Sequence, residues 1–524
     1  MAIRIQPDYN IMSPPEMDDL LFSPFQQALG KQTWARIQQQ LRNYDYYDGK
    51  QHVDPETGAL VPAKDLPRPF GMDYDPTRYT TNYFKSFIKR KARWQMGGQH
   101  GISVPPTQID DVAEAAKPEY EPSTAQKSEN ERAEKYERLL YDLWRENKMR
   151  ERLLQAARDR LIAGRVACKI AFNPRNGKMR WIFESDDKVV PVFSEDDFED
   201  LLAVHFIKTK MVDEEPLIQK QSYTMEDDGF CYLEEKIYRQ DLSVYKTVTK
   251  KESLQLDFIP VVLFPVTDLT GEHGDVSEIE DMKSQTDVLN AMNEDAIDSL
   301  KFEMFSMTAL INAAEGTSDG IKVAPGSILE LRGTFDGAAP QVEKIEGGFR
   351  WKEAFKDQYS RVKGALHEIT SLPQIVPQEL NFGGLNADAL HVLFQDIIQE
   401  TEEHWLVWGP RLSELHEKTI RYMQARSARP NFAYDRNVVK SIGTNYANEM
   451  RFVLPLPDNR QELVNLLTLE MDAELESQAG AMNRLGVENV SAKKQEIANE
   501  RASRRERIDP YAGLEGEEPS SELT

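Results

Sequence analysis

Three histidines, His391, His404 and His416, fall in one predicted helix and have the most obvious capacity for metal binding. Metal ligands from a single helix are three or four residues apart, because only those positions share a face. The spacing of these histidines does not repeat at three or four residues. The pattern therefore predicts no helical metal site.

A second group of potential ligands lies in one short polar segment: Asp268, Glu272, His273 and Asp275. Carboxylate and imidazole groups this close together could hold a cation. The same residue types are also typical of a solvated turn, which is the interpretation we prefer. No metal site is therefore predicted.

Enzyme motifs are absent from the sequence. There is no GxxxxGKS/T phosphate loop, since Gly30-Lys31 has neither the spacing nor the following Ser or Thr, and no HExxH, CxxC or GxSxG. The acidic residues of the helix that begins near Ser277 spread around it, whereas the ligands of a nuclease metal site must converge. We predict a protein that is not an enzyme and binds no cofactor.

The chain has 524 residues, 40% of them hydrophobic, and a formal net charge of −24. This length is enough for several domains with a substantial core. Proteins that grip DNA through its phosphates are normally basic, so the charge argues against a sequence-reading DNA binder. It fits a wall along which DNA slides without sticking, because like charges repel, and it fits equally a surface that only confers solubility.

Membrane and secretion signals are also absent from the sequence. The longest apolar run, Phe258 to Val266, is too short to span a bilayer, and the start has no signal-peptide layout. We expect synthesis inside the cell and no membrane partner. Cys168 and Cys231 lie on separate strand-like segments, where two buried thiols are the preferred interpretation.

The first half of the chain combines helices with antiparallel strands, which predicts an α+β fold. Helical periodicity occurs at 33–48, 82–98 and 129–162, and a polar surface loop is predicted at 105–128. Strand patterns occur at 166–172, 179–183, 201–208, 229–239, 242–249 and 258–264. The densest basic cluster is Lys85, Lys89, Arg90, Lys91 and Arg93. We expect this cluster to pair with acidic neighbours, the alternative being a surface that faces DNA.

The second half is dominated by long helices. An acidic helix begins at the predicted N-cap Ser277, a turn-rich β module follows, and a second helix covers 350–372. At about 100° per residue, three lysines of the second helix fall in one narrow stripe at the edge of its apolar face: Lys352, Lys356 and Lys363. Two long helices that hold a small module at their far end form a stalk. Stalks of this kind pack side by side around an axis, which points to a ring with a channel.

A Pro/Gly loop separates the second helix from a third at 386–425, which Gly409-Pro410 should kink or interrupt. Further helices are predicted at 459–485 and 491–501, followed by a disordered tail. The fold class is therefore α+β and mainly α.

The order of these parts resembles the portal proteins of tailed bacteriophages, the head-to-tail connectors, and in particular the siphophage type. Residues 82–98 look like the family's N-terminal "Asn … Gly" helix, and 164–170 look like its Gly-led strand. Residues 259–264 and 274–282 look like the family's entry into the first stem helix. Residues 366–390 look like its tunnel loop and kinked helix, and 450–462 look like the late strand that precedes the crown. The resemblance covers roughly residues 33–501.

The resemblance implies a division of the chain into the parts of a portal subunit. In chain order these are the α/β wing 1–276, stem helix one 277–308, the small β clip 309–348, stem helix two 349–372, the tunnel loop 373–386, the kinked helix with the rest of the wing 387–458, the helical crown 459–501 and a disordered tail 502–524.

The resemblance also implies a function. Portal proteins form a ring, usually of twelve subunits, at one capsid vertex of the virion, and assemble in the host bacterial cytoplasm. Double-stranded DNA is packaged and ejected through the ring without sequence specificity. The implied partners are other copies of the chain, the terminase large subunit, a head-completion or adaptor protein, and the major capsid and scaffolding proteins.

The channel residues that the resemblance implies are in the tunnel loop: Pro377, Asn381, Phe382, Gly383, Gly384 and Asn386. Stem residues Lys352, Lys356 and Lys363 are candidates for light contact with passing phosphates, the alternative being that they pair with the first stem helix of the next subunit. Two other functions stay open, namely another ring-shaped head or tail protein and a packaging nuclease or ATPase.

Overall fold

A computed structural model gives the architecture of part of the chain. The residues that it describes are 30–54, 77–98, 100–111, 121–194, 197, 199–212, 215–266, 276–304, 307–312, 341–345, 351–374, 391–455, 460–473, 475–487 and 490–508. The chain divides into two compact units, one of 1–45, 86–280 and 375–524, and the other of 46–85 and 281–374.

The helices are α1 (Lys31–Asp48), α2 (Tyr83–Met96), α3 (Thr124–Glu146), α4 (Met149–Ala163), α5 (Glu278–Met304), α6 (Lys352–Ile369), α7 (Gln395–Arg426), α8 (Arg436–Ser441), α9 (Arg460–Asp472), α10 (Gln478–Arg484) and α11 (Val490–Ile508). The strands are β1 (Gly101–Ser103), β2 (Arg165–Phe172), β3 (Met179–Ser185), β4 (Val189–Phe193), β5 (Leu201–Val212), β6 (Glu215–Met225), β7 (Cys231–Tyr238), β8 (Val244–Ser253), β9 (Val261–Pro265), β10 (Met307–Ile311), β11 (Gln341–Ile345) and β12 (Glu449–Arg451). The mixture of helix and sheet confirms the α+β prediction. Among these helices, none is long and apolar enough to cross a membrane.

The strands form two larger antiparallel sheets. Three strands pair in the order β3-β2-β9, and five pair in the order β4-β5-β6-β7-β8. The sequence analysis missed β4 and β6. β4 contains Pro191, but it is an edge strand, where a missing N–H can be tolerated. In β6, polar residues alternate irregularly with the few buried apolar ones, such as Leu217 and Tyr223.

The core of the larger unit surrounds the three-stranded sheet. Six consecutive residues of β2 are buried, because α4 packs against β2 and α7 packs against β9 and β2. Trp181 and Trp408 are fully buried, and the ring of Trp408 lies 4.9 Å from that of Phe264. Both cysteines are free and buried, as predicted.

The predicted helix at 129–162 is in fact two helices, α3 and α4. The break is at Asn147, whose fully buried side-chain amide accepts from Trp181 N at 3.0 Å and donates to Leu143 O at the same distance. The next residue, Lys148, has φ 51°, a left-handed conformation that ends a helix. A tertiary contact, which no local pattern reveals, therefore divides this segment.

The third long helix, α7, continues through Pro410, so of the two predicted alternatives, a kink or an interruption, the interruption is wrong. Proline removes one backbone hydrogen bond to the carbonyl four residues earlier. That carbonyl belongs to Leu406, which is 76% exposed, so water can solvate it. The fully buried Trp408 and Leu412 hold the helix to the core on both sides of the proline.

Two other boundaries differ from the prediction. The first long helix ends at Met304, and β10 begins at Met307, where it pairs with Ile345 of β11. The predicted helix at 459–485 is divided into α9 and α10, and α11 extends to Ile508, so 502–508 belong to a helix and not to a disordered tail.

Candidate functional site

The first long helix, α5, carries a row of polar side chains that bind an extended segment at residues 77–81. Thr77 N donates to both carboxylate oxygens of Asp298, at 3.1 and 3.0 Å. Tyr79 N donates to Glu294 Oε1 at 3.0 Å, and Thr81 N donates to Asn290 Oδ1 at 2.8 Å. The residue numbers rise in the segment as they fall in the helix, so the two run antiparallel.

The two periodicities match, which explains the regularity of this row. Two residues of extended chain advance about 6.6 Å, and four residues of α-helix advance about 6 Å. Alternate N–H groups of the segment therefore meet every fourth side chain of α5. Because Asn290 and Glu294 are almost fully buried, each accepts a hydrogen bond that water cannot easily replace.

This row changes the interpretation of the acidic helix. The sequence suggested carboxylates spread around α5, available to repel DNA or to meet a neighbouring subunit. Asp298 and Glu294 instead accept backbone hydrogen bonds, and Asp287 accepts from Tyr46 Oη at 3.0 Å and lies 3.4 Å from His52 Nε2. Part of the acidity of α5 therefore binds the chain to itself.

The second long helix, α6, has its apolar face only partly covered. Phe355 stacks on Tyr359 with ring centroids 5.7 Å apart, and Tyr359 Oη lies 2.8 Å from Tyr83 Oη. Leu366 is the fully buried member of this face, whereas Phe355 and Tyr359 are half-buried. The rest of the face is therefore available to another surface.

The lysine stripe of α6 is accessible. Lys352 and Lys356 are exposed, and Lys363 is half-buried. Within the described ranges, no carboxylate lies within ion-pairing distance of any of the three. The other predicted channel residues lie outside the described residues: Pro377, Asn381, Phe382, Gly383, Gly384 and Asn386.

The start of α5 is fixed by two sets of contacts. Ser277 Oγ accepts from Ile279 N at 3.2 Å, which confirms the predicted N-cap, and donates to Ile162 O at 2.5 Å. In the first turn, Glu278 Oε2 lies 2.5 Å from Lys91 Nζ, which also lies 2.6 Å from Glu400 Oε1 on α7.

The lysine in this cluster is almost completely buried, with 2% of its side chain exposed. Burial by itself would lower the pKa of Lys91, but the carboxylates of Glu278 and Glu400 more than offset it and raise the pKa. Burial would likewise raise the pKa of Glu400, but His404 and Lys91 lower it overall. Lys91 and Glu400 are therefore charged at neutral pH, and the cluster connects α2, α5 and α7.

The basic segment of α2 thus follows the interpretation that the sequence analysis preferred. Lys91 pairs with two glutamates, and Lys85 Nζ lies 3.7 Å from an oxygen of Asp48. For these two residues of the cluster, the partner is a carboxylate of the same chain.

A family comparison decides what kind of protein carries these features. The model of the phage portal protein family, SPP1 Gp6-like, matches residues 27–507, which is most of the chain. The chain belongs to this portal protein family. Families of this kind are structural and not enzymatic, and a portal protein implies a ring oligomer in the head and neck assembly of a phage.

Two other comparisons add less about this portal protein. One matching solved structure is described as "Neck of empty GTA particle computed with C6 symmetry", with 10% sequence identity, 76% of this chain and 89% of that chain covered, and a TM-score of 0.39. A TM-score this low does not establish a shared fold. A search of curated proteins found no match.

One group of potential metal ligands in the portal protein escaped the sequence analysis. Ligand atoms of Glu278, Glu400 and His404 lie within 4.8 Å of one another. Glu400 and His404 are four residues apart on one face of α7, and α5 contributes the third ligand, Glu278, so histidine spacing alone does not reveal this group. Because the Lys91 ammonium group already binds both carboxylates, these groups form a buried ion-pair cluster.

Proposed function

We propose that this portal protein forms the ring at one capsid vertex through which double-stranded DNA is packaged and ejected. The observation that carries the proposal is the family match across residues 27–507. The ring also serves as the docking platform for the terminase large subunit and the head-completion protein. It passes DNA without sequence specificity, in agreement with the net charge of −24.

In this proposal α5 and α6 are the stem of each subunit, and the β10–β11 hairpin belongs to the clip. The half-buried aromatic face of α6 supports the assignment, because a neighbouring stem can cover it in a ring. The backbone-to-carboxylate row on α5 also supports it. In a ring, α5 would line the channel, and the segment at residues 77–81 that is hydrogen-bonded along it would stiffen the helix against bending.

The lysines Lys352, Lys356 and Lys363 then face one of two partners. They either contact passing phosphates lightly in the channel or pair with α5 of the next subunit. None of the three lysines forms an ion pair with a described carboxylate of its own chain, which supports a partner outside the subunit. Several lysines that bind phosphates only weakly would let DNA slide, because exposed ion pairs contribute about 0–1 kcal/mol each.

Electron microscopy of the purified chain is the direct test. We expect rings with a central hole and about twelve subunits, the number that is usual in the family. Discrete monomers at all protein concentrations, or a continuous filament, would contradict the proposal.

A triple substitution of Lys352, Lys356 and Lys363 by Gln distinguishes the two roles of the stripe. Loss of rings would indicate pairing between subunits, and intact rings that package less DNA would indicate a channel role. Replacing the exposed Lys246 and Lys250 of β8 by Gln is the matched control, because it removes charge far along the chain from the stem. Normal rings with normal packaging in the triple variant would eliminate both roles.

A further inference from the structure

An apolar groove of about 560 Å³ lies where α2 ends and where α3 meets α4. The apolar part of its lining consists of Met96, Tyr141, Trp144, Met149, Leu153 and Leu154. Tyr141, Trp144 and Leu154 are half-buried and provide the accessible apolar surface, whereas Met96, Met149 and Leu153 are buried beneath it. Aromatic rings provide large contact areas, so this lining suits an apolar peptide segment. All of these residues belong to the larger compact unit.

The rim of the groove has a net positive charge, with three basic residues and one acidic residue, Glu151. Arg145, Lys148 and Arg150 line it and are all exposed. Arg145 has a weak exposed partner in Asp142, at 3.2 Å. No carboxylate of the described ranges lies within ion-pairing distance of Lys148 or Arg150. Two cations without a carboxylate partner among the described residues stand out in a chain with 88 acidic and 64 basic residues.

The position of Lys148 is enforced by the fold. Its backbone is left-handed, with φ 51°, and it comes directly after Asn147, whose side chain is fixed by buried hydrogen bonds. A non-glycine residue in this conformation costs on the order of 1 kcal/mol or more. The turn therefore holds a lysine at the groove despite a conformational cost that glycine would avoid.

The chemistry of the groove defines its occupant as a segment with apolar side chains flanked by carboxylates. Nucleic acid fits less well, because the phosphates could bind the rim but nothing in a duplex would fill the apolar floor. The occupant that the sequence offers is residues 509–524, which contain Tyr511 and Leu514, five acidic residues and no basic one.

This segment starts in the compact unit that carries the groove. Arg138 Nη2 on α3 donates to Gln495 Oε1 on α11 at 3.0 Å, so α11, which ends at Ile508, contacts α3. In extended chain, Tyr511 lies about 10 Å and Leu514 about 20 Å beyond Ile508. The segment therefore reaches the groove of its own copy where Ile508 lies within this distance, and otherwise the groove of a neighbouring copy.

We propose that residues 509–524 bind in this groove, with Tyr511 and Leu514 against its apolar floor and Glu515, Glu517 and Glu518 at its basic rim. The bound segment covers the half-buried side chains of Tyr141, Trp144 and Leu154 at the junction of α3 and α4. This inference does not depend on the proposed channel function, because it concerns the chain's own acidic segment.

A photo-cross-linking experiment on the full chain tests this proposal. Glu151 lines the groove and is exposed, so Glu151→benzoylphenylalanine places a reactive group there without disturbing the core. Irradiation should join this residue to a peptide within 509–524, identified by mass spectrometry. The matched control is Val248→benzoylphenylalanine on the exposed strand β8, which should not join to that peptide.

A charge variant gives the second measurement. Lys148→Gln combined with Arg150→Gln should reduce the cross-linking yield roughly threefold to tenfold, because two exposed charge contacts are lost. The thermal melting curve should match that of the parent chain, since both side chains are exposed.

The outcomes separate clearly. A cross-link to 509–524, in the same copy or a neighbouring one, that weakens in the Gln variant supports the proposal. A cross-link to another segment, to added duplex DNA or to nothing overturns it, and so does a yield that the Gln variant leaves unchanged.

Discussion

Replacement of Lys91 by Met tests whether the buried charge cluster holds the start of α5. The ammonium group lies 2.5 Å from Glu278 and 2.6 Å from Glu400, and Lys91 is 2% exposed. Methionine fills a similar volume but leaves two carboxylates side by side without their cation. Removing one partner from a buried ion pair costs about 3–5 kcal/mol, and we expect a loss of this size in the free energy of unfolding.

The assay is urea unfolding at pH 8, followed by tryptophan fluorescence. Lys89→Met on the same helix is the matched control, because this half-buried lysine has no carboxylate partner among the described residues; it should cost less than about 1 kcal/mol. Adding Glu278→Gln and Glu400→Gln to the Lys91→Met variant should restore most of the loss, since removal of a whole buried charge set is often neutral.

The effect of pH gives an independent check. Without the lysine, repulsion between the two carboxylates raises a glutamate pKa in the folded state above its unfolded value. Protonation then favours the folded variant as the pH falls, so the deficit should shrink from pH 8 to pH 5. A loss below about 1 kcal/mol at pH 8, or a deficit that does not change with pH, would refute the reasoning.

Three further predictions concern other parts of the chain. Burial lowers the pKa of His416 to about 4, so between pH 6.5 and pH 4 the unfolded state binds a proton that the folded state does not. Over this range the free energy of unfolding should fall by about 3 kcal/mol for this group. His416→Gln should flatten the plot of the urea midpoint against pH. Glu294→Ala leaves Tyr79 N without its acceptor and should cost about 1–3 kcal/mol in urea unfolding, whereas the exposed Val288→Ala should cost little. Gly383→Val with Gly384→Val should leave rings intact but lower the mass of packaged DNA, and wild-type DNA content would show that backbone freedom in this loop is irrelevant.

The sequence by itself determined the elements whose signals are local. The apolar faces of α1, α2 and α6 follow a helical period, so they were predicted within a few residues. Ser277 was recognisable as an N-cap, because a cap depends on the residues directly beside it. The order of these local elements also sufficed for the resemblance to portal proteins, which the family match confirms.

The tertiary structure decided features that depend on residues far apart in the chain. Asn147 divides α3 from α4 because Trp181 lies opposite it, and α7 passes through Pro410 because buried side chains hold it on both sides. The sequence shows how many charged residues there are and where they lie along the chain, but not which of them form ion pairs. The assignment of Lys91 to Glu278 and Glu400, and of the α5 carboxylates to backbone N–H groups, required the fold, because hydrogen bonds and ion pairs act over a few ångströms in space whatever the separation along the chain.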